Sequence, residues 1–266
     1  MPILTGPIQY IGTIDDLTAY KTRNSDKVIV RRKKFISHNA FKTEPQYDAM
    51  RRNNAEFTGC AYAGKVVRNA LGSLLRLADY NVSPAINKFC KAIQKQDTVG
   101  ELGKRSIVFS AYKDALTAIV LNKRHLFESV VRQRSVVELL RPEGALHLHF
   151  GELIPGFNIQ FPWKSSHFRF IISLGVIGDL HDQGKGYDTS YGKSTPIVST
   201  VFSSWMPAAQ KMPAQSFIVK LKQLDFLQQE DISVVAGIGI QMGTPSLLGD
   251  IEPVKYAGTA RILAVA

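Results

Sequence analysis

Apolar and polar positions along the chain follow three successive rhythms. In the first, β-branched and aromatic residues mix with polar ones: Ile8, Tyr10, a stretch from Gly12 to Tyr20, a turn-rich segment from Thr22 to Asp26, and a return through Val28, Ile29 and Val30. This predicts a β-hairpin whose turn is supplied by Asn24, Ser25 and Asp26. A lone hairpin is marginal in water, so it is expected to dock onto its own chain or onto a neighbouring subunit.

From Pro45 to about Tyr80 the period lengthens to that of a helix. Met50, Phe57, Gly64, Leu71 and Ala78 form one row and Cys60, Val67 and Leu74 another, each spaced by seven like the a and d positions of a heptad. Thr43 and Glu44 suit the cap and Pro45 the first turn. Gly59, Ala61, Ala63 and Gly64 sit mid-helix, where each glycine costs roughly 1 kcal/mol relative to alanine; a close approach of backbones is expected to offset that. A second helix, from Ser83 to Gln96, buries Ile86, Phe89, Cys90 and Ile93 and forms an antiparallel pair with the first. A short third helix covers 111–117.

After about Glu128 the rhythm is that of strands. A hairpin joins 136–140 to 146–150 through the turn Arg141–Gly144, and further runs cover 157–161, 168–176, 197–205, 216–221, 232–242 and 256–265. Short strands without intervening helices predict an antiparallel β-sandwich of the immunoglobulin-like or jelly-roll class. The expected fold is therefore α+β: a basic hairpin-plus-helices region over 1–130 and the sandwich over 131–266.

Charge sharpens that division. Residues 1–134 carry 23 Lys and Arg against 11 Asp and Glu, net +12, whereas residues 135–266 carry 10 against 11, net −1. Arg31, Arg32, Lys33 and Lys34 are consecutive, Arg51 and Arg52 open the first helix, and Lys88, Lys91 and Lys95 form a cationic stripe on the second. These nine residues are the candidates for an anionic partner, either nucleic acid bound through its phosphates or another anionic surface.

Catalytic signatures are missing from the sequence. Tyr191-Gly192-Lys193-Ser194 lacks the upstream glycine of a phosphate loop, and Pro196 stands where its helix would begin. No nucleophile elbow, zinc-protease motif or Cys/His cluster occurs. His147 and His149 share one face of a strand but need a third ligand to hold a metal, and the alternation of Leu and His also describes a half-solvated strand. Carboxylates at Asp15, Asp16, Asp225, Glu230 and Asp231 fall at strand ends or loops. Trp163, His167, Tyr187 and Trp205 are the aromatic and imidazole groups a sugar-type ligand would use. Cys60 and Cys90 suit core thiols rather than a disulfide framework. The N-terminus has no basic segment followed by an apolar run, and no window approaches the about 18 apolar residues of a membrane helix. A cytoplasmic protein without a cofactor or membrane span is expected.

The run Thr5-Gly-Pro-Ile8, Gly12 to Tyr20, Val28 to Arg31, then Arg52-Asn-Asn-Ala-Glu-Phe57 and Leu77-Ala-Asp-Tyr-Asn81, resembles a family of uncharacterised cytoplasmic proteins from Bacteroidota. The similarity extends through 93–97, 103–105 and 121–124, and it implies a bacterial, cytoplasmic setting with no known activity. The function expected from the residues is that of a non-enzymatic structural subunit that self-associates into a ring, tube or filament. Its assembly arm spans residues 2–20, with Ile8, Tyr10, Ile14 and Leu17 filling pockets on a neighbour. The alternative is a nucleic-acid-associated protein using the basic first half.

Overall fold

The structure, a computed structural model, describes residues 3–6, 10–22, 25–32, 36–184, 186–189, 191, 196–247 and 249–266. The chain forms two compact units, Met1–Arg51 and Arg52–Ala266. The division at 130/131 follows the change from helix to strand, whereas residues 52–130 belong to the same compact unit as the strands after them.

In the first unit, β1 (Gly12–Ile14), β2 (Leu17–Lys21) and β3 (Val28–Arg32) form an antiparallel sheet in that order. The stretch from Gly12 to Tyr20, expected as one extended run, is split by a tight turn at Asp15 and Asp16. Asp15 has φ 54°, a left-handed conformation that aspartate tolerates better than most residues. Leu4 N–H donates to Val28 C=O at 2.8 Å, and Ile3 bridges Ile29, so Ile3 and Leu4 lie along the far edge of β3. Helix α1 (His38–Thr43) is capped by Ser37, whose hydroxyl accepts from Ala40 N–H. Arg51 donates to the carbonyls of Phe41 and Glu44.

The second unit is layered. Helix α2 (Asp48–Leu71), which opens at the end of the first unit, continues as a 3-10 segment over Gly72–Leu77 and is followed by α3 (Ser83–Gln94). Two short helices, α4 (Lys113–Thr117) and α5 (Phe127–Val130), lead into the strands. A hairpin of β4 (Val136–Leu140) and β5 (Ala145–Phe150) precedes the long β6 (His167–Gly178) and the small pair β7 (Leu180–Asp182) and β8 (Tyr187–Thr189). Then come β9 (Val198–Phe202), β10 (Met206–Pro207), β11 (Gln215–Lys220), β12 (Ile232–Pro245) and β13 (Ile251–Val265). Strand β12 lies between β6 and β13, and β9 and β10 pair along β6, which makes a five-stranded antiparallel sheet. Strand β5 lies between β11 and β4 in a three-stranded antiparallel sheet. The segment 157–161, expected as a strand, holds only an isolated bridge of Ile159 to Val131 and another to Pro155, because it is wound back on itself by the Asn158 side chain bonding Ile154 N–H.

The period of two along β6 and β12 builds two cores on opposite faces of one sheet. Phe168, Phe170, Ile172, Leu174 and Val176 point with Ile238 and Ile240 towards Leu146, Leu148, Phe150 and Phe217 of the three-stranded sheet. Ile171, Ile177, Val235 and Ile262 point instead to Val67, Leu71, Leu74 and Ile86 of the helical layer. On that second face glycines admit the helix directly. A Cβ on Gly175 of β6 would collide with the Ala70 backbone of α2, and one on Gly59 would come within 2.6 Å of the Tyr187 ring. Gly64 likewise accommodates Asn87 of α3. The close approach expected of the small-residue helix is thus made within the subunit. Phe57 is 68% exposed and Met50 47%, so the first of the two seven-residue rows is not a buried seam at its start. A strict repeat of seven drifts by about 20° per heptad around a straight helix, and here the buried stripe runs through Glu56, Cys60, Ala63, Val67 and Leu71.

Candidate interaction surface

Three strands of the first unit place its side chains in registered rows. Ile14 is opposite Leu17, and Gly12, Ala19 and Val30 form the next row on the same face. Ala19 and Val28 are the buried hydrophobic residues of this unit among those described; Ile14 is 58% exposed and Leu17 41%. Ile3, Ile11 and Ile36 are exposed as well. The arm residues Ile14 and Leu17 therefore sit together, on an apolar face that is covered at one end and open at the other. Tyr10 is half-buried, and Ile8 lies outside the described residues.

The basic candidates divide into committed and uncommitted cations. Arg32 pairs with Asp16, Arg31 stands over the Tyr20 ring at 5.6 Å, and Arg51 spends its guanidinium on backbone carbonyls and Asp48. Lys33 and Lys34 lie outside the described residues. Arg52 backs onto Gly103. In the helical stripe Lys88 and Lys95 are exposed, but Lys91 between them turns inward to Glu56 and Gln94. The stripe is broken at its centre by a carboxylate that its spacing did not reveal.

No family model, no curated protein and no solved structure matches the chain. Geometry and chemistry alone bear on its function.

Glu56 anchors a buried polar network. Its side chain is 2% exposed; it accepts from Lys91 and from Gly103 N–H at 3.2 Å, and Arg105 Nε stands 3.6 Å away, too far for a hydrogen bond. Burial alone would raise its pKa, yet Lys91, the Gly103 N–H and Arg105 outweigh this and hold the carboxyl below its ordinary value. Gln94 continues the network: its carbonyl accepts from Lys91 and the Cys60 thiol, and its amide donates to Tyr187 Oη at 3.2 Å, whose hydroxyl donates to Arg105 C=O at 2.9 Å. Burial pushes the Cys60 thiol up to about 11 and Tyr187 to about 12, so neither is ionised at neutral pH. The arrangement ties α2, α3 and the β7–β8 hairpin together without a free nucleophile. Tyr187, expected as a ligand-facing aromatic, belongs to this network. Trp205 stacks with Phe202 on the Arg169 guanidinium, which also donates to Gln241, and Trp163 meets the His125 ring edge-on. His167 lies on β6, beside the Ser166 hydroxyl.

His147 and His149 share the outer face of β5, His147 3.7 Å from Glu138 and His149 2.9 Å from the Ser216 hydroxyl. Among the described residues no three His, Cys, Asp or Glu gather as a metal site. A cleft of about 490 Å³, lined by Ile93, Val99, Val108, Tyr112, Ser106 and His181, brings the Ser106 hydroxyl to 3.0 Å from His181 Nδ1. Asp97 at its rim accepts from the N–H groups of Gly100, Ser106 and Val99, which lower its pKa. Sequence reasoning missed Ser106 and Glu56, since the contacts that define them join residues 35 to 75 apart, and Asp97, whose bonds to Val99, Gly100 and Ser106 are local but leave no mark in the hydrophobic pattern. No helix among the described residues is long and apolar enough to cross a membrane.

Proposed function

We propose that this chain is a non-enzymatic structural subunit that self-associates into a repeating homo-oligomer through its N-terminal sheet, in a cytoplasmic setting. The observation that carries the reading is the imbalance of the first unit: among its described residues Ala19 and Val28 are the buried hydrophobic ones, while Ile3, Ile11, Ile14, Leu17 and Ile36 face solvent. A three-stranded sheet with so little core gains about 25 cal/mol for each Å² of apolar surface removed from water, and a neighbouring subunit supplies that cover. In this reading residues 131–266 form an antiparallel β-sandwich of the immunoglobulin-like or jelly-roll class, supported by the core that Phe150 and Phe217 share with Phe170. It acts as the rigid body that the N-terminal sheets connect. The nucleic-acid reading loses support where Arg51 and Lys91 are committed to partners within the chain.

Light scattering coupled to size-exclusion chromatography on the full chain tests this. A species of several subunits that persists from about 50 to 500 mM salt and carries no 260-nm absorbance is expected, because apolar contacts survive screening that dissolves phosphate contacts. Ile14→Asp with Leu17→Asp is expected to convert it to monomer with an unchanged circular dichroism spectrum. A wild-type chain that is monomeric up to about 100 μM, where a contact of micromolar strength would be saturated, would overturn the reading.

A further inference from the structure

Resting on that reading, we propose that the assembly contact is heterologous: the outer edge of β1 in one copy pairs antiparallel with the outer edge of β4 in the next, seating the Asp15–Asp16 turn against an arginine-lined groove.

Both edges are open. β1 ends its sheet, its three residues are exposed, and among the described residues no backbone hydrogen bond is made along its outer side. β4 ends the three-stranded sheet in the same way. Exposed edge strands are templates for strand addition unless charge, proline or a covering element blocks them. The neighbouring edge of β13 shows such a block, since the buried Asn122 side chain accepts from Ala260 N–H and donates to Gly258 C=O. Among the described residues no side chain caps β4 in this way, although β13 passes close to it.

Beside β4 lies a groove of about 400 Å³ between the edges of the two sheets, floored by Phe127, Val131, Val137 and Leu263 and lined by Arg132, Arg134 and Arg261. Glu128 answers Arg261, and Arg132 reaches Gln160. Arg134 makes no hydrogen bond or ion pair among the described residues. Positions 132, 134, 136 and 138 are exposed in alternation, so Arg132 and Arg134 continue the solvent-facing row that Val136 begins on the strand.

Residues 3–20 of the arm carry Asp15 and Asp16 and no Lys or Arg. Asp16 is held by Arg32, whereas Asp15 has no partner among the described residues. Direction decides the match. Laid antiparallel, Gly12–Ile14 runs towards the start of β4, which puts exposed Ile14 beside exposed Val136 and brings the Asp15–Asp16 turn beyond it, alongside Ser135 and Arg134. A parallel pairing would carry Asp15 towards Leu140 and away from the arginines. The occupant that fits is therefore the arm of a second copy of this chain.

Such a contact joins two different patches, so it propagates as a ring or filament and can be capped at either end. The test uses two full-length variants. One blocks the arm (Ile14→Lys with Asp15→Asn, asparagine tolerating the left-handed turn), and the other blocks the groove (Arg134→Glu with Val136→Lys). Each alone is expected to be monomeric, with the circular dichroism spectrum and melting of the wild type. Mixed in equal amounts they are expected to give a one-to-one dimer, because each retains the patch that the other lacks. Arg134→Glu alone, a change at an exposed unpartnered side chain, is expected to weaken wild-type association at least about tenfold. If the wild type assembles but the mixed variants stay monomeric, or Arg134→Glu leaves assembly unchanged, this contact is wrong while self-association stands. If the wild type is monomeric, both are wrong.

Discussion

At Glu56 a single carboxylate holds two cations and a backbone N–H inside the helical layer. Removing it as Glu56→Ala leaves Lys91 and Arg105 without their counter-charge. Lys91 is partly exposed and recovers some hydration, so a loss of about 2 kcal/mol is expected in urea unfolding rather than the larger cost of a fully dry pair. Glu56→Gln keeps the volume and separates charge from packing. Because the folded carboxyl titrates below its unfolded value, its stabilisation is present above the unfolded pKa and is lost as pH falls through the folded one. Asp97 has the same sign. Asp179 has the opposite one: desolvation raises it despite bonds from Ser110, so its contribution is largest at low pH and fades as pH rises. Melting temperatures between about pH 5 and pH 3 are expected to fall more steeply for the wild type than for Glu56→Gln, with Asp97 accounting for part of the remaining slope.

The elements themselves meet through missing side chains. Gly175→Ala is expected to push α2 off β6 and to cost about 2 kcal/mol, read from the urea midpoint at constant slope, since the obstacle is Ala70 backbone and not a flexible side chain. Asn122→Leu, which strips the cover from β13 and orphans Ala260 N–H and Leu77 C=O, is expected to cost a similar amount. Local periodicity made most elements legible: the helices over 48–71 and 83–94 and the hairpin of β4 and β5 lie where the rhythm of 3.6 or 2 places them. What it could not supply was pairing between distant elements. Lys91 reads as one more exposed cation in a stripe until α2 brings Glu56 beneath it, and Tyr187 reads as a loop aromatic until Gly59 opens a place for its ring. The Asp15–Asp16 turn was hidden for a local reason, that two aspartates carry a weaker turn signal than the Asn24–Asp26 cluster nearby.

For the molecule as a whole, layering explains why the change from helix to strand near residue 130 is not a packing boundary: one sheet serves as the wall of two cores, and the helical layer is as much its partner as the second sheet. The net +12 of the first 134 residues is likewise distributed over both compact units and partly consumed inside them. An assembly joined by the N-terminal sheet is expected to dissociate without either core opening. The chain contains its own reporter of that distinction. Cys60 and Cys90 are free thiols within the second unit, both buried and with ionisation pushed up to about 11 and about 12. A thiol reagent that needs the thiolate is thereby barred twice, by access and by acidity. Its rate of labelling measures how often the helical layer breathes, as a clock that runs only while that layer is open. Dilution that separates subunits is expected to leave the clock unchanged, whereas Gly175→Ala is expected to make it run faster.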